Sequence, residues 1–297
     1  MRFGSSSSEV IKTRGTHVID IHAHTTASDG TDSPRALVNN AIIQGLDVLG
    51  VTDHDSVAGW EEATGAIRGK LKLALGAEIS CLTLSGLSVH MVGLLFDGSD
   101  VAVLEMLEKT RDDRIPRMIK MIELLNADGI SVTMDDVKAA KPPGATLGRP
   151  HLADALVALG FIKSRDYAFT GLLNNDSKYY VAHMAPTPEI AIAQIRAAGG
   201  VAVIAHPFAS HRGETLHPDD FLPLVEAGLN GIEVDHRDQS MEERKILREI
   251  AKELNLVVTG SSDYHGTGKL NRLGENLTAP EEWAKLESLA KGKVVQL

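Results

Sequence analysis

The sequence lacks the features on which three large classes of protein depend. Cys81 is the single cysteine among 297 residues, which excludes a disulfide framework and a cysteine-rich zinc site. No run of about 18 apolar residues occurs, so the sequence predicts no membrane-spanning helix. Residues 1–15 lack the apolar segment of a secretory signal, and we expect a reducing, cytoplasmic setting.

Positive charge is also scarce. The chain has 30 Lys and Arg against 40 Asp and Glu, for a formal net charge of −10. A field of that sign disfavours an extended nucleic-acid surface of the sequence-independent kind. It still permits a small anionic substrate held by a few local cations or metal ions. No pattern in the chain predicts an oligomeric state.

Short apolar runs alternate with helical patterns over most of the chain. Strands are predicted at 18–21, 48–51, 71–75, 89–96, 201–205, 231–234 and 256–259. Such runs of Val, Ile and Leu are typical of parallel strands that are covered on both faces. Helix starts are predicted at Ser33, Thr187 and Ser240, which have the side chains of N-caps. The alternation predicts an α/β barrel or a doubly wound sheet.

One stretch, from about residue 99 to 180, contains helical patterns and no convincing strands. One apolar face is formed by Met118, Ile119, Ile122 and Leu125. A second helix is predicted over residues 151–159, after a turn at 142–144. We predict a flexible segment at 1–16, a barrel domain formed by 17–98 and 181–297, and a helical insertion at 99–180 that recognises substrate.

Histidine is abundant, with twelve residues, and many of these lie with carboxylates at the ends of the predicted strands. The residues concerned are His22, His24, Asp29, Asp53, His54, Asp55, Glu78, His90, His206, Asp263 and His265. In an extended His-x-His or Asp-x-His segment the two side chains leave the same face. The carboxyl ends of parallel strands meet at one rim of a barrel, where barrel active sites lie. Imidazole and carboxylate are ligands that suit zinc, manganese or iron.

Some of these histidines have a simpler interpretation. A lone histidine in an apolar stretch is usually a hydrogen-bonded core residue, and His90 considered alone would be assigned that role. The histidines without a paired partner are predicted to be structural or exposed: His17, His211, His217 and His236. The pairs that follow three different strands are harder to explain in this way, so a metal site is favoured.

In order, these motifs resemble those of the PHP (polymerase and histidinol phosphatase) metallophosphoesterases. The motifs are His22-Ala23-His24, Asp29-Gly30, Thr52-Asp53-His54-Asp55, Gly76-Ala77-Glu78, His90-Met91-Val92-Gly93, Ala205-His206-Pro207 and Ser262-Asp263-Tyr264-His265. The resemblance spans residues 17 to 270 or so. It implies a distorted (β/α)7-type barrel with two or three manganese, zinc or iron ions at its rim, manganese being the first choice.

The resemblance also implies a division of the ligands into three sites. His22, His24, Glu78 and Asp263 would hold one ion. Asp29, His54 and His265 would hold a second. Glu78, as a bridge, would hold a third with His90 and His206.

Such a site predicts hydrolysis of a phosphate monoester by a metal-activated hydroxide. Asp53, Asp55 or a histidine outside the ligand set could protonate the leaving group, and the residues themselves do not rank these candidates. Asp53 could instead orient a ligand imidazole, which is the commoner use of a neighbouring carboxylate.

Within the family, the resemblance is strongest to the bacterial subgroup that acts on nucleotide 3′,5′-bisphosphates and on 5′ ends of short RNAs. It implies substrate contacts from Arg149, His151 and Lys178 in the insertion. Arg149 offers a bidentate fork for a second phosphate, and Lys178 offers a point charge. Arg149 could alternatively cap a helix or pair with Asp154, and Lys178 could be solvated. The segment 174–177 departs from the subgroup's Gly/Pro-rich pattern.

We therefore expect a cytoplasmic phosphatase that acts on a small phosphorylated substrate, a nucleotide in the first instance. Three alternatives stay open. The first is a phosphatase or phosphodiesterase for another small ester, such as histidinol phosphate or a cyclic phosphate. The second is an amidohydrolase-type enzyme that cleaves a C–N bond. The third is a metal-binding module without catalytic activity.

Overall fold

Seven strands occur in the part of the chain that the computed structural model describes, residues 17–143, 145–181 and 184–297. They are β1 (Ile19–Asp20), β2 (Val48–Val51), β3 (Lys72–Leu82), β4 (Ser88–Leu94), β5 (Val201–Ala205), β6 (Gly231–Asp235) and β7 (Val257–Gly260). They form one sheet in chain order. Beyond β1 and β7, the Ala23 segment pairs with Tyr264, and the His24 N–H donates to the Tyr264 carbonyl at 2.8 Å. This contact nearly closes a seven-stranded barrel, so the predicted fold class is confirmed.

One strand differs from the prediction in its direction. The sequence predicts parallel strands throughout, whereas β4 runs antiparallel to both β3 and β5. Only residues 83–87 connect β3 to β4, and a parallel crossover needs about a dozen residues or more. Strand β3 is also longer than the predicted 71–75, since it continues to Leu82. The antiparallel hairpin brings Glu78 and His90 to the same region of the barrel.

Ten α-helices lie within the described ranges. They are α1 (Pro34–Gln44), α2 (Trp60–Thr64), α3 (Val101–Ala127), α4 (Met134–Ala140), α5 (Arg149–Ala158), α6 (Arg165–Phe169), α7 (Pro188–Ala197), α8 (Phe221–Glu226), α9 (Met241–Glu253) and α10 (Pro280–Leu289). The predicted N-caps Ser33, Thr187 and Ser240 each accept a hydrogen bond from a backbone N–H of the first turn. None of the helices in the described ranges is both long and apolar enough to cross a membrane.

Helices α3 to α6 lie between β4 and β5 and have a hydrophobic cluster of their own. Met118, Met121 and Leu125 of α3 pack in this cluster with Leu152 and Leu156 of α5. Met121 is fully buried, whereas the predicted core residue Ile119 is 46% exposed. Val103 and Leu107, nearer the start of α3, pack in the barrel core instead. Helix α3 therefore contributes to both clusters. The predicted segment 1–16 and Gly144 of the predicted turn lie outside the described residues.

Gly50 in β2 marks a very close approach between strands. A Cβ atom placed on Gly50 would lie closer than 3.0 Å to the backbone of Ile21. Backbone cannot move aside as a flexible side chain can, so any larger residue here would force β1 and β2 apart. The two strands lead directly into His22 and His54, and their spacing therefore helps to position both imidazoles.

Gly50→Ala is expected to lower the free energy of unfolding by about 3 kcal/mol, because the added methyl overpacks the strand contact. Urea unfolding followed by circular dichroism would measure the change. Gly65→Ala is the matched control, since its nearest neighbouring heavy atom would be 3.5 Å away. Equal stability of the two variants would contradict this account of the strand spacing.

Candidate metal centre

The nine predicted metal ligands lie together at one rim of the barrel. His22 and His24 follow β1, His54 follows β2, and Asp263 and His265 follow β7. Glu78 lies within β3, His90 lies within β4, His206 follows β5, and Asp29 lies in the loop before α1. Six of the nine are buried, and His54, His90 and His206 are partly exposed. The side chains thus form a cluster with one open side.

Five imidazoles surround a single buried carboxylate, that of Glu78. The imidazole nitrogens lie 2.7–3.2 Å from its oxygens and belong to His22, His24, His54, His90 and His206. Burial alone raises the pKa of a carboxyl, but these imidazoles hold the pKa of Glu78 well below its usual range. Glu78 is therefore ionised and lies at the centre of the cluster, where a bridging ligand would be needed.

Several imidazoles of the cluster are neutral at physiological pH. Burial lowers the pKa of His206 to about 3, assisted by the positive charge of Arg212. Burial likewise lowers the pKa of His265 to about 4 and holds that of His54 well below its usual value. A neutral imidazole has a free nitrogen lone pair, which is the form that binds a metal ion.

Ligand atoms within 4.8 Å of one another form three groups. The groups are His22, His24, Glu78 and Asp263; His24, Asp29, His54 and His265; and His54, Glu78 and His90. The first group has the same members as a predicted site. The second adds His24 to the predicted set. The third contains His54, and His206 lies 3.1 Å from the shared Glu78 carboxylate.

The donor atoms of the cluster are arranged to bind divalent ions rather than to form hydrogen bonds with one another. Three buried atoms of the cluster have no hydrogen-bond partner among the described residues: His54 Nδ1, Asp263 Oδ1 and His265 Nε2. Buried polar atoms are normally satisfied, and a cation bound here would satisfy all three of these atoms. The nitrogen and oxygen donors suit manganese, zinc and iron. The cluster therefore fits multiple divalent ions without identifying the metal.

Glu233, which the sequence analysis did not predict, contacts two ligand residues of the cluster. One of its oxygens lies 2.9 Å from His22 Nδ1, and the other accepts the backbone N–H of His206 at 2.9 Å. Burial disfavours its charge, yet His22 lowers the pKa of Glu233 to about 2. The carboxylate orients the His22 ring so that Nε2 faces the cluster. An acidic residue within the apolar strand β6 is the sequence signal that could have identified it.

A second set of unpredicted groups surrounds Asp263. Its Oδ2 lies 2.7 Å from Lys269 Nζ, 3.2 Å from an Arg212 nitrogen and 3.3 Å from His236 Nε2. These contacts leave Oδ1 facing the cluster, 3.3 Å from His24 Nε2. His236, predicted to be structural or exposed, is fully buried and has this structural role.

The prediction that Asp53 or Asp55 is catalytic is not supported by their positions. Both are buried and neither lines the cleft above the cluster. Asp53 accepts hydrogen bonds from the Thr25 N–H, the Thr25 hydroxyl and the Ser28 hydroxyl at 2.6–2.8 Å. It therefore shapes the loop after His24 rather than serving a substrate.

Asp55 is occupied in a similar way. It accepts the backbone N–H of Ser80 at 2.8 Å and forms a short ion pair with Arg114 of α3. Its carboxylate is fully buried, so an incoming leaving group has no access to it. Asp55 therefore holds α3 against β3.

A cleft of about 390 Å³ opens above the cluster, and its walls are rich in cations. Seven cationic side chains line it against four carboxylates, which are those of Asp29, Asp166, Glu214 and Asp238. The cationic residues are Arg114, Arg117, Arg149, Arg165, Arg212, Arg237 and Lys269. The chain as a whole has a net charge of −10, so this local excess of positive charge favours an anionic ligand.

Two of these arginines pair with no carboxylate in the described part of the chain, namely Arg117 and Arg149. Their guanidinium groups lie 5.3 and 5.2 Å from the ring centre of Tyr180. Arg149 also donates to the Leu173 carbonyl at 3.0 Å and to Asn175 Oδ1 at 2.6 Å. The alternative pairing of Arg149 with Asp154 is not found, because Arg165 pairs with that carboxylate.

The structure does not bring Lys178 or His151 to the cleft. Lys178 is 68% exposed, pairs with Asp128 at the end of α3 and does not line the cleft. His151 is buried, and its Nδ1 accepts the Gly148 N–H at 3.1 Å, which makes it a cap of α5.

Comparisons with known proteins agree with this geometry. A family model described as PHP domain matches residues 20–131. A 5′-3′ exoribonuclease of Haemophilus influenzae is 34% identical over 87% of this chain and 93% of its own length. A 3′,5′-nucleoside bisphosphate phosphatase of Chromobacterium violaceum is 32% identical over 86% and 89%. A crystal structure of a candidate metal-dependent phosphoesterase from Bifidobacterium adolescentis has a TM-score of 0.86 and 40% identity, covering 92% of this chain and 96% of that one.

Chelation of divalent ions is expected to lower the melting temperature, because the ions neutralise buried carboxylates in the folded state only. Mn²⁺ at about 100 times its Kd adds ~2.7 kcal/mol of stability per site. Differential scanning calorimetry of chelated protein with and without Mn²⁺ would measure this. His24→Ala should abolish most of the gain, and His217→Ala, at an exposed position, should retain it. Identical melting curves with and without Mn²⁺ would contradict a metal centre here.

Proposed function

Because the chain belongs to the PHP family of metal-dependent phosphoesterases, we propose that its substrates are nucleotide 3′,5′-bisphosphates or 5′ ends of short RNAs. The cationic cleft above the Glu78 cluster is the observation that carries the proposal. Its size suits a nucleotide, and its charge suits more than one phosphate. The names of the two relatives support the same substrate class.

We assign the ligands to two or three divalent ions. His22, His24, Glu78 and Asp263 would hold the first ion, and Asp29, His54 and His265 the second. Glu78, His90 and His206 would hold the third. Manganese is our first assignment, with zinc or iron as alternatives that accept the same donors. When bound, such ions neutralise phosphoryl charge and lower the pKa of a coordinated water toward neutrality.

The surrounding residues of the chain would prepare the cluster for an anionic substrate. Glu233 fixes the ring of His22, and Asp53 fixes the loop that follows His24. Arg212 and Lys269 lie beside Asp263 and line the cleft, so their charges face the side on which a phosphate enters. Preorganised cations of this kind stabilise charge that develops during phosphoryl transfer.

We assign the proton for the leaving group to His211. It lines the cleft, lies outside the ligand set, and its Nε2 is 3.6 Å from Asp238 Oδ1. The Asp238 carboxylate can orient the ring toward the cleft. A histidine so placed can donate a proton to a leaving alkoxide.

His211→Gln is expected to lower kcat for a nucleotide bisphosphate by about 100-fold, within the usual range for a general acid. Turnover of p-nitrophenyl phosphate should fall much less, since its leaving group needs no protonation. Steady-state kinetics on both substrates would measure the difference. His217→Gln is the control, and an equal loss on both substrates would exclude His211 as the acid.

The second phosphate would lie against the wall formed by residues 99–180, which we propose as the substrate-recognition insertion. Arg149 and Arg117 supply two guanidinium groups without a carboxylate partner in the described residues, at 5.2 and 5.3 Å from the ring centre of Tyr180. Burial lowers the pKa of Arg149 to about 10, which leaves it cationic at neutral pH. An incoming phosphate would provide the missing counter-charge through charge-assisted hydrogen bonds.

Arg149→Met is expected to reduce the preference for a 3′,5′-bisphosphate over a 5′-monophosphate by about tenfold, mainly through KM. Phosphate release from the two nucleotides, measured with Mn²⁺, gives the ratio. Lys178→Met is the matched control, because Lys178 pairs with Asp128 away from the cleft. An unchanged ratio in Arg149→Met would contradict the second-phosphate role.

Release of ammonia from amides without phosphate release would contradict the proposed activity itself.

A further inference from the structure

Arg165 touches two of the three segments that carry predicted ligands of the second ion, the loops of Asp29 and of His265. It is the first residue of α6, and its guanidinium NH1 donates to the backbone carbonyl of Asp29 at 3.0 Å. The same nitrogen lies against Gly268, three residues beyond His265. A Cβ atom added to Gly268 would lie closer than 3.0 Å to it. One side chain from the insertion thus contacts two loops of the barrel.

The guanidinium is held in place from the other side by Asp154 of α5. Arg165 Nε lies 2.8 Å from Asp154 Oδ1, and a second short bond joins NH2 to Oδ2. This is the bidentate geometry that restricts an arginine most strongly. Only 12% of the Arg165 side chain is exposed. The group is therefore a rigid bridge rather than a mobile surface charge.

The two loops that Arg165 bridges also contact each other. The Thr31 N–H donates to the His265 carbonyl at 3.1 Å, and the Thr267 N–H donates to Thr31 Oγ1 at 2.7 Å. Asp29 Oδ1 lies 3.2 Å from His265 Nε2, an atom with no hydrogen-bond partner in the described residues. A shift of either loop would alter the separation of these two ligand atoms.

We propose that Arg165 is a positioning residue for one ion of the cluster, the ion assigned to Asp29, His54 and His265. It acts through the Asp29 carbonyl and the Gly268 backbone, and it links the insertion to the geometry of this site. The inference rests on the ligand assignment of the proposed function. Among the described residues, Arg165 forms no hydrogen bond or ion pair with His22 or His90, so the ions assigned to those ligands should be independent of it.

The test is a titration of chelator-treated protein with Mn²⁺ by isothermal calorimetry, with the ion count checked by elemental analysis. Arg165→Met should weaken one class of ion by about 10- to 100-fold, the usual effect of removing such a support, and leave the rest unchanged. Arg165→Lys should give a smaller loss, because one ammonium group cannot serve both Asp154 and the Asp29 carbonyl.

Gly268→Ala provides a second probe that keeps the arginine. The three nearest atoms to the added methyl would all belong to side chains, those of Arg165 and Thr31, so the fold should tolerate it while NH1 leaves the Asp29 carbonyl. We expect the same class of ion to weaken. Controls are Arg196→Met, which removes a comparable arginine-to-carbonyl bond at α7, and Gly65→Ala.

The possible results distinguish failure of this inference from failure of the proposed function. If both Gly268→Ala and Arg165→Lys bind every ion with wild-type affinity, the positioning role is overturned. This result can be obtained even if Arg165→Met fails to fold. Equal weakening of all ions also overturns it, since that result describes a general structural support. A wild-type protein that binds no Mn²⁺, Zn²⁺ or Fe²⁺ overturns the ligand assignment itself.

Discussion

The burial of Glu78 among five imidazoles is the constraint on which the rest of the structure depends. An ionised carboxylate without compensation is costly to bury, and three carboxylates of this cluster are buried together. The imidazoles offset part of that cost, and divalent ions would offset the remainder. The antiparallel hairpin of β3 and β4, the close contact at Gly50 and the support from Glu233 all act on the positions of these ligands.

The insertion contributes charge to the open side of this cluster. Its arginines face the cleft of a protein whose overall charge is strongly negative, so the attraction for an anion is local. Arg114 and Arg165 are anchored by carboxylates, and Arg117 and Arg149 have aromatic and backbone contacts instead. The anchored pair joins the insertion to the barrel, and the other pair is available to a ligand. Under the proposed function, residues 99–180 would connect substrate recognition with the geometry of the metal site.

Much of the architecture could be predicted from local patterns, because apolar runs and helix caps depend on residues close in sequence. The capped starts of α1, α7 and α9 and the convergence of the nine ligands follow from such patterns. The direction of β4 was missed because the predicted strand stopped at Leu75, which hid the short hairpin. With β3 extended to Leu82, the five-residue connection alone would have indicated an antiparallel pair.

The features of the site that the sequence did not reveal are contacts between distant residues. Asp53 and Asp55 resemble catalytic carboxylates in the sequence, and only the fold shows that they are engaged by Thr25, Ser80 and Arg114. Lys178 pairs with Asp128, which lies fifty residues earlier, and no local sequence pattern predicts that ion pair. Glu233 was overlooked because a single acid within an apolar strand has no paired motif.

Diffraction from crystals soaked with Mn²⁺, recorded near the manganese absorption edge, tests the central claim most directly. The account predicts two or three anomalous peaks, each within coordination distance of the assigned ligands and at least one beside Glu78. Crystals that diffract well but show no anomalous peak among these side chains would contradict it.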